Sequence, residues 1–260
     1  MECLSLDNGS YRTGPRDVSF LARAMPSLSF YVRLLALVLE ASRMAKRGRF
    51  DNQELCRSTL AVFHALENVG VKFDISGMEH VRGLEGPCVF VANHMSTLET
   101  FILPLIIVPF KDVTFVIKKS LASDYPVYKH LARSRDPITV GRRNPREDLR
   151  AVLEGGTERL KAGRSIVVFP QATRSTTFNP RDFNTLGIKL AKRANVPVIP
   201  LAIRSDAWGN GKFIKDLGRI DPSKGVHFSF GKPIWVKGRG DEEHRDVLEF
   251  IRQRLKQWGL

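Results

Sequence analysis

The chain has little sulfur and no clustered metal-binding chemistry. Its three cysteines, Cys3, Cys56 and Cys88, have neither zinc-site nor disulfide-framework spacing, and read as reduced thiols in a cytosolic compartment. Six histidines are scattered, with no His-Cys cluster and no His-Glu-x-x-His arrangement, so no metal is expected. Gly209-Asn210-Gly211 and Gly238-Arg239-Gly240 lack the strand-to-helix setting and Lys-Ser/Thr ending of a phosphate loop, which argues against nucleotide hydrolysis. A Gly-x-Ser-x-Gly elbow is missing, and with it that route to a serine nucleophile. No apolar run reaches the ~20 residues that span a bilayer. No internal repeat, heptad pattern or low-complexity tract interrupts the 260 residues. Acids are few: 27 Asp and Glu against 41 Lys and Arg leave a net charge of +14. That excess suits nucleic acid, an anionic membrane surface, a phosphorylated substrate or an acidic carrier protein. The basic residues are spread over several elements and do not interleave with aromatics on one face, so no nucleic-acid partner is expected.

What is present is enough apolar material, 43% of residues, for one sizeable core. Residues 1–24 are polar and aperiodic, with Gly9, Gly14 and Pro15, and read as a loose leader without the charged start and apolar stretch of a secretory signal. Residues 26–46 crowd Leu28, Phe30, Leu34, Leu35 and Val38 into a helical segment, followed by Arg47 and Arg49. Two readings fit: a helix lying in a membrane interface with its basic end near lipid phosphates, or an ordinary buried helix. A second helical pattern over 52–68 carries Leu55, Val62, Phe63 and Leu66, so residues 25–70 are expected to form an N-terminal helical pair and candidate membrane dock.

From residue 71 to 260 the pattern is that of one α/β domain. Strands are predicted over 71–75, 87–92, 113–117, 138–140, 165–169, 198–203 and 226–230, and helices over 97–107, 127–132, 145–161, 185–194 and 241–257. The alternation implies a mixed sheet covered by helices. Asn144, Pro145, Glu147 and Asp148 mark a strong helix start, while Gly155-Gly156 is expected to weaken or break that helix in its middle.

His94-Met95-Ser96-Thr97-Leu98-Glu99 directly follows the apolar run 87–92. Residues five apart on one helix lie roughly 140° round its axis, so a His–Glu contact needs the chain to turn between them. A strand-to-helix turn supplies that bend. Imidazole can take a proton near neutral pH, and a carboxylate on its other nitrogen fixes the tautomer, which suits general-base activation of a hydroxyl. The alternative is a surface histidine beside a helix-start acid. Phe169-Pro170-Gln171-Ala172-Thr173-Arg174-Ser175 places polar donors and an arginine fork after another buried strand. Val196-Pro197-Val198-Ile199-Pro200 forms a third block, and Phe115-Val116-Ile117-Lys118 with Ile138-Thr139-Val140-Gly141-Arg142 a fourth.

In order and spacing, these blocks resemble the glycerolipid acyltransferase family typified by lysophosphatidate (1-acylglycerol-3-phosphate) acyltransferases, over roughly residues 72–233. That family has Asn-His-x-x-x-x-Asp, Phe-Pro-Glu-Gly-Thr-Arg-Ser and Val-Pro-Val-x-Pro at the corresponding places. The chain departs from it at Glu99, Gln171-Ala172, Ser120 and Leu186. Related acyltransferases that finish lipid A use a His-x4-Glu pair, so the longer arm is compatible with the chemistry. The resemblance implies a glycerol-phosphate acyltransferase-like fold and acyl transfer from acyl-CoA or acyl carrier protein to a lyso-lipid hydroxyl, without a cofactor. His94 would be the base and Glu99 its orienter. Lys118, Arg142, Gln171, Thr173 and Arg174 would meet substrate, with Asn93 and Ser96 in support. From the residues alone, two readings fit Asn93 and Thr173: Asn93 orients the turn with Thr173 bonded across to it, or both are structural. Peripheral contact with an anionic membrane, from its cytoplasmic face, is expected. The alternatives are a lipid-binding homologue without turnover, or an acceptor lacking phosphate, such as an amino-acid lipid or a glycolipid precursor.

Overall fold

Runs of β-branched and aromatic residues separated by amphipathic helices build one mixed sheet. The computed structural model describes residues 4–125, 128–171 and 173–260, and for Tyr128 the backbone alone. Cys3, Ala172 and the first residue of the helix predicted over 127–132 lie outside the described residues. The strands are β1 (Tyr11–Arg12), β2 (Phe73–Ser76), β3 (Val89–Ala92), β4 (Val113–Lys118), β5 (Ile138–Val140), β6 (Ser165–Val168), β7 (Val198–Arg204) and β8 (Val226–Phe230). Their order across the sheet is β1-β2-β8-β7-β3-β6-β4-β5. The helices are α1 (Phe20–Ala24), α2 (Pro26–Lys46), α3 (Asn52–Glu67), α4 (Glu79–Arg82), α5 (Leu98–Ile107), α6 (Lys119–Ser123), α7 (Tyr128–Ser134), α8 (Pro145–Lys161), α9 (Leu186–Ala194) and α10 (Asp241–Gln257).

β7, β3, β6, β4 and β5 run parallel, whereas β8 lies antiparallel to β7. The carboxyl ends of those parallel strands therefore share one edge, where open α/β sheets place their ligands. Helices cover both faces, so β3 alternates between two cores. Phe90 and Ala92 join the cluster with Phe30, Phe63 and Ile102 from α2, α3 and α5. Val89 and Val91 join the other, with Val152, Leu190 and Ile251 from α8, α9 and α10. A strand buried on both sides reads as a continuous apolar run.

The residues expected as a loose leader are, where described, part of the fold. β1 pairs antiparallel with β2, and α1 follows. Tyr11 Oη and Thr13 Oγ1 donate to the buried Glu67 Oε1 at 2.6 and 2.7 Å, and Arg16 reaches Oε2 at 2.8 Å. A buried carboxylate at the end of α3 needs such donors. Burial, reinforced by the hydrogen bond to Glu67, pushes the Tyr11 phenol up to about 12. These ties are polar and the paired stretch is two residues long, so no periodicity marks them.

α2 and α3 pack together, but α3 belongs to the core: Phe63 is fully buried and its ring centroid lies 4.2 Å from that of Phe73 on β2. Leu34, expected to enter a membrane interface, is buried with Phe30, and both belong to the core that includes Trp208. The outward face of α2 carries Met25 at its N-cap, then Leu28, Val32 and Leu35, all exposed. Among the described residues, no helix is long and apolar enough to cross a membrane.

Gly155-Gly156 does not break α8, which runs unbroken from Pro145 to Lys161 under an Asn144 cap. A Cβ on Gly156 would lie 2.8 Å from Leu190 Cδ1, so the glycine lets α9 approach α8. Gly187 does the same between α9 and the central strand, where a Cβ would stand 2.5 Å from Val91 Cγ2. Valine cannot swing that methyl away cheaply. Gly187→Ala is expected to cost about 1–3 kcal/mol of packing strain against about 1 kcal/mol of helix propensity gained. Thermal denaturation should register the net loss as a Tm lower by a few degrees. An unchanged Tm would mean that α9 lifts freely from β3.

Candidate active site

β3 ends at Ala92, and the next side chain prolongs its pairing with β7. Asn93 Nδ2 donates to the Ile203 carbonyl and Oδ1 accepts from Ile203 N–H, both at 2.8 Å, in place of the next backbone pair. This fixes the turn that carries His94. The His94 N–H donates to Gln171 Oε1 at 2.7 Å, and the His94 carbonyl accepts from Ser175 N–H at 2.9 Å. The imidazole stacks on Phe169, with centroids 4.3 Å apart and planes 20° from parallel. All three partners come from the segment after β6, so the two adjacent strand ends hold this residue between them.

Glu99, on the first turn of α5, is fully buried and meets His94 Nδ1 at 2.8 Å. Its carboxylate also accepts from Met95 N–H at 2.7 Å, from Ser96 N–H at 3.1 Å and from Ser205 Oγ. Burial alone would raise its pKa. The hydrogen bond and charge of His94, the Ser205 hydroxyl and the Ser96 N–H outweigh burial and hold the carboxyl below its ordinary value. An ionised carboxylate can only accept, so Nδ1 carries the ring proton and Nε2 is left as the basic nitrogen. The His94 side chain keeps 15% of its surface exposed, through which a substrate hydroxyl could reach it.

The match of the family model described as Acyltransferase spans residues 72–204, which include His94, Glu99 and Arg174. The 1-acyl-sn-glycerol-3-phosphate acyltransferase of Pseudomonas aeruginosa is 31% identical over 82% of this chain and 76% of its own length. The chain belongs to the acyltransferase family. The 1-acyl-sn-glycerol-3-phosphate acyltransferase BAT2, chloroplastic, of Brassica napus is 29% identical over 55% of this acyltransferase, which spans only 39% of that relative. The fold is shared with the crystal structure of the 1-acyl-sn-glycerophosphate acyltransferase of Thermotoga maritima, at a TM-score of 0.68 and 21% identity over 91% of this chain and 96% of that one. The mixed α/β fold read from the sequence is therefore that of a solved acyltransferase.

Within this acyltransferase the sequence-predicted residues divide into two groups. His94, Glu99, Asn93, Ser96, Gln171 and Arg174 come together at the ends of β3 and β6. Gln171, expected to meet substrate, is buried and braces the His94 backbone. Thr173 does not bond to Asn93, whose amide is engaged by Ile203; Thr173 Oγ1 accepts from Lys215 Nζ at 3.1 Å. Arg174 Nη1 lies 2.8 Å from Asp216 Oδ1 and also contacts Thr97 Oγ1. Lys118 and Arg142 stand apart. Strands repeat every ~4.8 Å, so β4 and β5 lie roughly 10 and 14 Å from the His94 strand. Arg142 adopts the left-handed region at φ 59°, and its N–H donates to Asp148 Oδ2 at 2.8 Å, which binds its main chain to the start of α8.

Sequence reading missed Ser205 and Asp216. Ser205 follows β7 and touches Glu99 from 106 residues away. Its one available signal was position, at the carboxyl end of a strand next to that of His94. Asp216 sits in the long connection between β7 and β8 and carries no motif.

Proposed function

We propose that this acyltransferase moves a fatty acyl group from an acyl thioester, acyl-CoA or acyl carrier protein, to the hydroxyl of a lysophosphatidate-type lyso-lipid. The observation that carries the reading is the 2.8 Å contact of His94 Nδ1 with a buried, ionised Glu99. His94 Nε2 takes the hydroxyl proton as the alkoxide oxygen attacks the thioester carbonyl. The tetrahedral intermediate collapses, the carbon–sulfur bond breaks, and the departing thiolate receives the proton from Nε2. Glu99 holds the tautomer and stabilises the imidazolium between those steps. The N–H groups of His94, Met95 and Ser96 are engaged by Gln171 and Glu99, so they are not the donors that meet the oxyanion.

Arg174 is the residue suited to an acceptor phosphate, which would replace the Asp216 carboxylate on its guanidinium. The Asp216 contact also favours a second reading, in which the pair is a permanent brace and the acceptor lacks phosphate. Thioester release by the purified protein against a panel of lyso-lipids separates them. On the first reading Arg174→Ala raises the acceptor's KM roughly 10–100-fold, the worth of a lost charge-assisted contact, and leaves the thioester's KM nearly unchanged. Equal effects on both substrates, or a preferred acceptor without phosphate, would overturn it. The exposed outward face of α2 and the net charge of +14 support action as a peripheral protein on the cytoplasmic face of an anionic membrane, where such donors and acceptors meet.

A further inference from the structure

The connection from β7 to β8 carries side chains out of keeping with a water-facing surface. Phe213 at its tip is 100% exposed, and Ile214 and Leu217 are exposed beside it. Lys212, Lys215 and Arg219, also exposed, flank them. The tip stands on a built neck. Gly209 N–H donates to the Arg219 carbonyl at 2.9 Å, Gly211 N–H to that of Lys215 at 3.2 Å, and Leu217 N–H to that of Ile214 at 2.9 Å. The two sides of the neck lie so close that a Cβ on Gly218 would stand 1.7 Å from the Gly209 carbonyl oxygen. Beneath it the buried Trp208 donates from Nε1 to the Asp216 carbonyl at 3.0 Å. The fold thus holds an aromatic and two aliphatic side chains outward on a closed, hydrogen-bonded finger.

The finger's two flanks tie it to two parts of the protein. Toward the N-terminal helices, Tyr31 Oη donates to the Gly218 carbonyl at 2.5 Å and Ile220 N–H donates to Ser27 Oγ at 2.9 Å. Ser27 and Tyr31 lie on the wheel of α2 between the buried Phe30–Leu34 side and the exposed stripe of Met25, Leu28, Val32 and Leu35. Toward the catalytic edge, Asp216 contacts Arg174 and Thr97, and Lys215 contacts Thr173.

We propose that this finger is a second membrane-inserting element: Phe213, Ile214 and Leu217 enter the interface of an anionic bilayer beside the α2 stripe, with Lys212 and Arg219 among the lipid phosphates. The inference rests on the membrane-docking reading above and adds a contact that sets the mouth of the His94 site against the lipid. A convex tip with cations on both sides matches the layering of a bilayer interface, apolar below and phosphate above.

The test uses the full chain, sedimented with vesicles of phosphatidylcholine alone or mixed with phosphatidylglycerol, and compares it with the double variant Phe213→Ser, Ile214→Ser. Both positions are exposed, so the fold should be unaffected. Wild type should favour the anionic vesicles. The variant's partitioning into them should fall at least about tenfold, as expected for two apolar side chains withdrawn from the interface. Its turnover on a soluble short-chain acceptor should stay at the wild-type level, while its KM for vesicle-borne acceptor rises. Equal partitioning of variant and wild type overturns the finger's role, and a loss in Leu28→Ser, Val32→Ser under the same conditions would show the α2 docking reading intact. If wild type binds neither vesicle, docking itself fails and the finger proposal fails with it. A variant that loses turnover on the soluble acceptor makes the finger a support of the site, which also overturns the proposal.

Discussion

Replacing His94 with alanine is expected to lower kcat by about 10²–10⁴-fold, the span typical of a lost general base, with the KM for either substrate little changed. The fold should survive, because the main-chain bonds that build the turn, to Gln171 and Ser175, do not involve the imidazole. The Glu99 carboxylate keeps Met95 N–H, Ser96 N–H and Ser205 Oγ as donors, so it is not left as an unpaired buried charge. What is lost is the ring stacked on Phe169 and the basic nitrogen that Glu99 does not engage. Thioester release measured with a saturating lyso-lipid acceptor, beside a thermal melt of the same preparation, checks both halves. A folded His94→Ala protein turning over at a near-native rate would remove the proposed base.

How much of this was legible beforehand depended on whether the physics was local. β3, β6 and β7 were readable because strands buried on both faces become unbroken apolar runs, and the turn after β3 was readable because His94 and Glu99 fall on either side of it. α8 was placed correctly from its cap onward, yet its Gly pair was misjudged, since the reason for Gly156 is Leu190 on another helix. The leader was misread for a similar reason. Its order comes from Glu67, more than fifty residues on, and from a two-residue strand too short to show a period. At the site, Ser205 and Asp216 were invisible because hydroxyls and carboxylates in connecting segments are common, and what distinguishes these is the atom each touches across the fold.

Glu99→Ala should lose at least about 10² of kcat, since His94 then lacks the acceptor that fixes its tautomer and steadies its charged form. It should also cost about 1–3 kcal/mol of stability, the penalty for leaving buried hydrogen-bond donors without their acceptor. The Met95 and Ser96 N–H groups and the Ser205 hydroxyl lose their acceptor in a place water does not reach. Glu99→Asp keeps the charge but shortens the arm, and should retain partial turnover if the carboxylate still bridges His94 and Ser205. Glu99→Gln separates charge from shape. The wild-type carboxyl titrates below its unfolded value of about 4.3, so its stabilising contribution is complete above that pH and is lost as pH falls through the lower folded value. Acid unfolding followed by circular dichroism should therefore be shallower in Glu99→Gln than in wild type, with lower stability at neutral pH. If Glu99→Ala turns over like wild type, Glu99 is a helix-start acid that serves the fold alone, and His94 needs a different orienting partner.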